Sequence, residues 1–254
     1  MNPSSQLRTA VHFSSRPDIT PGVFAIEDIM LAIDWAKSSP QYRIPRNRMG
    51  GPWKVVHPSY KVRNHPDRAK GFIKILEGKL EGDYCLVLEF DHTIEAYACQ
   101  PFKIIGGHYW GFNFFTPDVV IYPFDAPPVV IDCKPLNVAQ AKIHKERHDR
   151  LREAFNTFGV EFAVVTDDII QQQPRLHTYQ FLYPRLCSGQ QHLIGEAKAL
   201  HTKVLQLGGA AEVQDLRELG VDVVRRGFAY AHSMGALSSD FEHFYGPEFL
   251  IYTT

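Results

Sequence analysis

The stretch TPDVVIYPFDAPPVVIDCKP, residues 116–135, admits few folds. Val119-Val120-Ile121-Tyr122 and Val129-Val130-Ile131 are β-branched, apolar runs, and Pro123-Phe124-Asp125-Ala126-Pro127-Pro128 between them is turn chemistry. The pattern predicts an antiparallel hairpin. If it is symmetric about Asp125, opposed residue numbers sum to 250, so Val120 faces Val130 and Asp118 faces Asp132. Side chains alternate along a strand, which puts Lys134 on the face of Asp132 and turns Ile131 and Cys133 to the other side.

Two carboxylates opposed at about 5 Å destabilise a sheet unless a cation neutralises them. A hard divalent cation answers that need, since Mg²⁺ is commonly held by one or two carboxylates with water and substrate phosphate. Lys134 could then orient or help deprotonate an attacking water and offset transition-state charge. The hairpin alone leaves two readings level: a metal-dependent phosphodiester hydrolase, or a strand pair with acids at its solvent-exposed ends.

Other segments lie in a telling order. Pro117-Asp118 followed by Asp132-Cys133-Lys134 resembles the PD-(D/E)XK nuclease motif. Upstream, LEGKLEGDYCLVLEFDHTIEAYACQPFKI, with Glu77, Leu80, Glu81, Gln100 and Pro101, resembles the Glu-x-x-Leu-Glu helix and following strand of the TnsA family, and GVEFAVVTDDII resembles a later strand of that family. The resemblance spans roughly residues 50 to 170. It implies a TnsA-like endonuclease subunit of a heteromeric transposase, with Glu81, Asp118 and Asp132 as metal ligands for Mg²⁺ (Mn²⁺ as substitute) and Lys134 as the fourth catalytic residue. Glu77 and Glu89 lie near Glu81 along the helix, so a small shift of the motif would exchange them. Many TnsA-like proteins carry Glu or Gln where this chain has Asp132. Implied partners are double-stranded DNA at the transposon ends, a TnsB-like transposase and a TnsC-like regulator ATPase.

A net charge of −1 conceals an uneven distribution. Residues 41–80 hold ten Lys or Arg against Asp67 and Glu77, which gives +8 there and −9 elsewhere. Arg43, Arg46, Arg48, Lys61 and Arg63 are the expected DNA-contacting residues of this arm, with a solvated basic surface or an acidic protein partner as the other readings. No stretch approaches the roughly 20 apolar residues of a membrane span. Four dispersed cysteines and an N-terminus without an apolar signal core predict a reducing cytoplasm, which the TnsA resemblance implies is bacterial.

The expected organisation is an N-terminal arm with one helix (1–50), a nuclease domain (51–173), a linker (174–189) and a small helical domain (190–254). The nuclease core is expected to be α/β, a mixed central sheet flanked by helices, the restriction-endonuclease-like form that the resemblance also implies. Expected elements are a helix at Gly78–Phe90, a strand from Ile94 to Ile105, a long polar helix from Val138 to Phe158 and a strand at Glu161–Thr166. In the long helix, Lys142 is a further candidate for phosphate contact. His144 and His148 share a face, but the order His-Lys-Glu-Arg-His is not a metalloprotease motif and reads as an exposed charged surface. Thr166-Asp167-Asp168 reads as a cap for a helix from Ile169.

Beyond residue 190, helices at Gln190–Leu207, Ala211–Leu219 and Val221–Met234 precede a terminal hairpin, a winged-helix-like order. Arg225 and Arg226 on its third helix would be the groove readers, but neighbouring Glu212, Asp215, Glu218 and Asp222 favour protein docking. The expected activity is metal-assisted cleavage of the non-transferred strand at transposon 5′ ends. A free-standing nuclease of the same superfamily and a catalytically silent assembly subunit are the alternatives.

Overall fold

The computed structural model describes residues 23–25, 28–38, 55–59, 72–76, 78–106, 112–187 and 190–254. Arg43, Arg46, Arg48, Lys61, Arg63 and Glu77 lie outside them. The chain divides into two compact units, Met1–Gly82 with Ile94–Ile169 and Asp83–Thr93 with Ile170–Thr254.

In the first unit the described elements begin with β1 (Val23–Ala25), α1 (Ile29–Ser38), β2 (Val55–Ser59), β3 (Phe72–Leu76) and α2 (Lys79–Phe90), which belongs to the second unit from Asp83 onward. They continue with β4 (Ile94–Cys99), β5 (Lys103–Ile105), β6 (Val119–Pro123), β7 (Val129–Lys134), α3 (Leu136–Gln140), α4 (Lys142–Asn156), β8 (Glu161–Thr166) and the single turn α5 (Asp167–Ile170). The fold is mixed α/β: a four-stranded sheet of order β4-β6-β7-β8 is antiparallel except for the parallel β7–β8 pair, with helices against it. β1 pairs in parallel with β5, and β2 with β3 antiparallel.

The hairpin has the register expected from its symmetry. Val119 pairs with Ile131, Val120 with Val130 and Ile121 with Val129. Consecutive residues are buried on both arms, Val119 with Val120 and Val130 with Ile131, so both faces of the pair are covered. Ile29, Ala32, Ile33 and Ala36, spaced as one helical stripe, join Val120, Tyr122, Val130, Leu151, Phe155 and Phe162 in the core. Phe155 stacks on Phe162 with ring centroids 5.6 Å apart, and Phe115 meets both edge-on at 6.1 and 5.8 Å. Each such ring contributes about 1.5–3 kcal/mol on burial.

Three expected elements differ. The strand drawn from Ile94 to Ile105 is two, because Gln100 takes φ +43°, a left-handed backbone that no ladder accepts. The helix drawn from Val138 to Phe158 is broken at Ala141, which is extended at ψ 134°, while its carbonyl accepts from His144 and Lys145 and so starts a new ladder. The Asp167 carboxylate does not cap its own turn: its Oδ1 accepts from Leu136 N at 2.7 Å, satisfying an orphan donor at the start of α3.

The second unit contains α6 (Arg175–Leu182), a 3₁₀ segment (Tyr183–Cys187), α7 (Gln190–Gln206), β9 (Ala210–Glu212), a 3₁₀ segment (Val213–Leu219), α8 (Val221–Ser233), β10 (Leu237–Ser238) and β11 (Leu250–Thr253). The segment read as a linker is therefore mostly helical. Leu176, Tyr179 and Leu182 stand three apart and are buried, and that stripe fixes it as a packed helix. Ala211–Leu219, expected as α-helix, is a short strand and a 3₁₀ turn opened by a Glu212–Asp215 capping box. The terminal hairpin is present and joins β9 in an antiparallel sheet of order β10-β11-β9. α7 and α8 pack where Gly227 leaves room: a Cβ there would lie 2.9 Å from Glu196 O. Among the described residues, no helix is long and apolar enough to cross a membrane.

Candidate active site

The end of the hairpin sets the site. Asp118 is held by its backbone, its N–H donating to Ile131 O at 3.1 Å and its carbonyl accepting from Gln100 N at 2.9 Å. That places its carboxylate over β7, where Oδ2 accepts from Cys133 N at 2.8 Å. Lys134, on the same face as Asp132, donates from Nζ to Asp132 Oδ1 at 2.6 Å and to Asp118 Oδ2 at 3.3 Å. The two carboxylates are thus bridged by an ammonium. The expected like-charge conflict exists, and the lysine relieves part of it.

Ionisation follows from this geometry. Burial pushes the Asp118 carboxyl up to about 7, the negative charge of Asp132 adds to the rise, and Lys134 opposes it. Burial also raises Asp132, but its hydrogen bonds with His148 and Lys134 and the Lys134 charge outweigh that and hold it down to about 2. Desolvation works against the Lys134 ammonium, yet Asp118 and Asp132 prevail and its pKa stands above the ordinary lysine value. Lys134 is therefore a fixed cation here. Proton abstraction from water, one of the two roles expected of it, does not suit it in this state.

Two residues not counted in the catalytic set on sequence complete the surroundings. His148 is buried, with Nε2 3.2 Å from Asp132 Oδ2. An ionised carboxylate only accepts, so Nε2 carries the proton. The expected exposed face for His144 and His148 is corrected accordingly: His148 continues the buried stripe of Leu151 and Phe155, while half-buried His144 lines the site. Gln100, buried, donates from Nε2 to Glu81 Oε2 at 3.3 Å, and its Oε1 is buried with no hydrogen-bond partner.

A cavity of about 790 Å³ joins these groups, with Glu81, Gln100, Asp118, Asp132 and Lys134 on its walls. Of the helix carboxylates weighed on sequence, Glu81 is on the cavity, whereas Glu89 is a buried member of the second unit. Among the described residues, no group of three His, Cys, Asp or Glu side chains is arranged to hold a metal ion as it stands. The donor set nonetheless suits a hard cation held in the way usual for Mg²⁺, by two carboxylates with water and phosphate, with Glu81 as a further hard donor on the same cavity. Of the residues expected to contact DNA, the described ones are Lys142 in the first unit and Arg225 and Arg226 in the second. Lys142 is 92% exposed and 4.0 Å from Glu146. Arg226 is held bidentately by Glu196, and Arg225 lies over the Phe181 ring with Asp222 at 3.8 Å. No protein-family model matches the chain, and no curated protein matches it.

Proposed function

We propose that this chain is a metal-dependent DNA endonuclease of the PD-(D/E)XK type, a TnsA-like subunit that cleaves the non-transferred strand at transposon 5′ ends. The observation that carries the reading is the convergence of Asp118, Asp132 and Lys134 at the hairpin end, on one cavity with Glu81. The motif order along the chain supplies the TnsA part of the proposal. The order helix, strand, 3₁₀ turn, helix and strand pair in residues 190–254 supports a winged-helix-like domain there. With Arg226 neutralised by Glu196, that domain suits docking to a TnsC-like ATPase better than groove reading.

Asp118 and Asp132, with Glu81 on the same cavity, would hold Mg²⁺ or Mn²⁺. When bound, the cation supplies Lewis-acid polarisation of the scissile phosphate and a more acidic water. Asp118 must give up its proton to serve as a ligand, which its value near 7 allows at neutral pH. Lys134 keeps its charge and, with a cation taking over the carboxylates, would offset negative charge developing on the phosphate. His148 holds Asp132 in one orientation, and Gln100 does the same for Glu81.

The test is strand-specific nicking of end-containing duplex DNA by the purified chain, with and without a TnsB-like transposase, in Mg²⁺, Mn²⁺ and EDTA. The expected result is a metal-dependent 5′-end nick that Asp118→Ala and Lys134→Ala each abolish. Nicking that survives both substitutions means the site is wrong. Cleavage of any duplex without a partner would favour a free-standing nuclease, and no divalent-cation binding even with DNA present would favour a catalytically silent subunit.

A further inference from the structure

The cavity wall away from the carboxylates has a chemistry of its own. Phe115 forms an isolated antiparallel bridge with Ile104, donating to Ile104 O at 2.8 Å and accepting from Ile104 N at 2.7 Å, and its ring is buried in the core. Neighbouring side chains on extended backbone point to opposite sides, so Phe114 is turned outward onto the cavity, 48% exposed. Single exposed apolar residues are ordinary. This one is different because the bridge next door fixes its backbone and because it faces a polar, charged cavity. Lys103 Nζ stands 3.8 Å from its ring centroid. Arg147, exposed on α4, lines the same cavity with its guanidinium 5.9 Å from the Phe115 ring, and among the described residues it pairs with no carboxylate.

An exposed aromatic ring with Lys103 over one face and Arg147 on the same cavity suits a base stacked on the ring's other face with phosphates on the cations, the combination that binds single strands without sequence preference. Bases inside an undistorted duplex have both faces covered, so a ring stacks most readily on a base that is terminal, frayed or swung out, and otherwise must unstack a paired step at a kink. We propose that Phe114, Lys103 and Arg147 form the binding site for an unpaired nucleotide beside the phosphate that is cut. The polymer's identity rests on the nuclease reading above. The nuclease therefore acts where the strand is locally opened, and its preferred substrate carries unpaired nucleotides next to the cleavage position.

Two measurements on the full chain test this: fluorescence anisotropy with a labelled oligothymidylate, and nicking of end-containing duplexes that are either fully paired or mismatched beside the cleavage position. Phe114→Ala and Arg147→Ala are each expected to weaken oligonucleotide binding roughly tenfold or more. Phe114→Tyr should bind as the wild type does, and Phe114→Leu should behave like Phe114→Ala. Mismatched duplex should be nicked faster than paired duplex by the wild type, with most of that advantage lost in Phe114→Ala. Wild-type binding in Phe114→Ala or Phe114→Leu, no oligonucleotide binding by the wild type, or equal nicking of both duplexes would overturn the proposal. Metal-dependent nicking indifferent to Phe114 sinks this site and leaves the nuclease reading intact. Phe114-dependent oligonucleotide binding without nicking of any substrate supports the nucleotide site and counts against the nuclease reading.

Discussion

His148 Nε2 lies 3.2 Å from Asp132 Oδ2, with both side chains buried. A helix residue thereby orients the carboxylate at the hairpin end. Partners behind a metal ligand typically govern about 10–100-fold in metal affinity. His148→Ala should weaken Mg²⁺ binding by that order in isothermal titration. It should also cost about 1–3 kcal/mol in metal-free denaturant unfolding, because one carboxylate oxygen loses its partner. His148→Gln, which can still donate, should recover part of the cation affinity. Wild-type affinity in His148→Ala would mean that the pair is packing alone.

The two aspartates pull stability in opposite directions with pH. Asp118 holds its proton more tightly when folded, at about 7 against an ordinary carboxylate near 3.8. Its contribution is therefore full below pH about 4 and is lost as pH rises through 7. Asp132, held down to about 2, contributes above its ordinary pKa and loses that as pH falls toward 2. Melting of the metal-free protein between pH 5 and 8 should show a decline that Asp118→Asn removes. Because a cation must displace the Asp118 proton, the rise in Tm on adding Mg²⁺ should be larger at pH 8 than at pH 6. An equal rise at both would contradict the assignment.

Lys134→Met removes the ammonium that bridges Asp118 and Asp132. Breaking a largely buried pair from one side costs about 3 kcal/mol, so the metal-free variant should unfold at markedly lower denaturant. Mg²⁺ should then restore more stability to Lys134→Met than it adds to the wild type, since the cation takes the place of the lost charge. Nicking should still be absent. A variant that is destabilised yet gains no more from Mg²⁺ than the wild type would show that the carboxylates do not bind the ion.

The hairpin was legible because every signal agreed: β-branched arms, a proline-rich turn and a symmetry about Asp125 that fixes the register. Glu161–Thr166 and the helix from Val221 were legible for similar reasons. His148 was not, because KIHKERHDRLREAFN is charged on nearly every side and only packing decides which face is buried. The signal was faint but present in the spacing of His148, Leu151 and Phe155. The break at Ala141 has no glycine or proline to announce it, so periodicity runs straight through. Pro174 and Pro184 bracket α6 and suggest a linker, and the Leu176, Tyr179, Leu182 stripe is outvoted. Asp167 could not be assigned to Leu136 from sequence, because a cap across 31 positions is a tertiary fact.

Gly227 tests the second unit separately from the site. It is buried on α8 at the contact with α7, and a Cβ placed there meets Glu196 O at 2.9 Å and Glu196 C at 3.1 Å. Those are backbone atoms and cannot swing aside, so the helices would have to separate. Overpacking of this kind costs about 1–3 kcal/mol. A glycine inside a helix otherwise costs about 1 kcal/mol relative to alanine, so helix propensity alone predicts that Gly227→Ala stabilises. The close approach predicts the opposite sign, and Gly227→Val should be worse than Gly227→Ala. Denaturant unfolding of the full chain decides between them. Destabilisation graded with side-chain size supports the tight α7–α8 contact, and a stabilised Gly227→Ala refutes it. The same substitution should strain the neighbouring Arg226–Glu196 pair, so Glu196→Ala in the Gly227→Ala background should cost less than it does in the wild type.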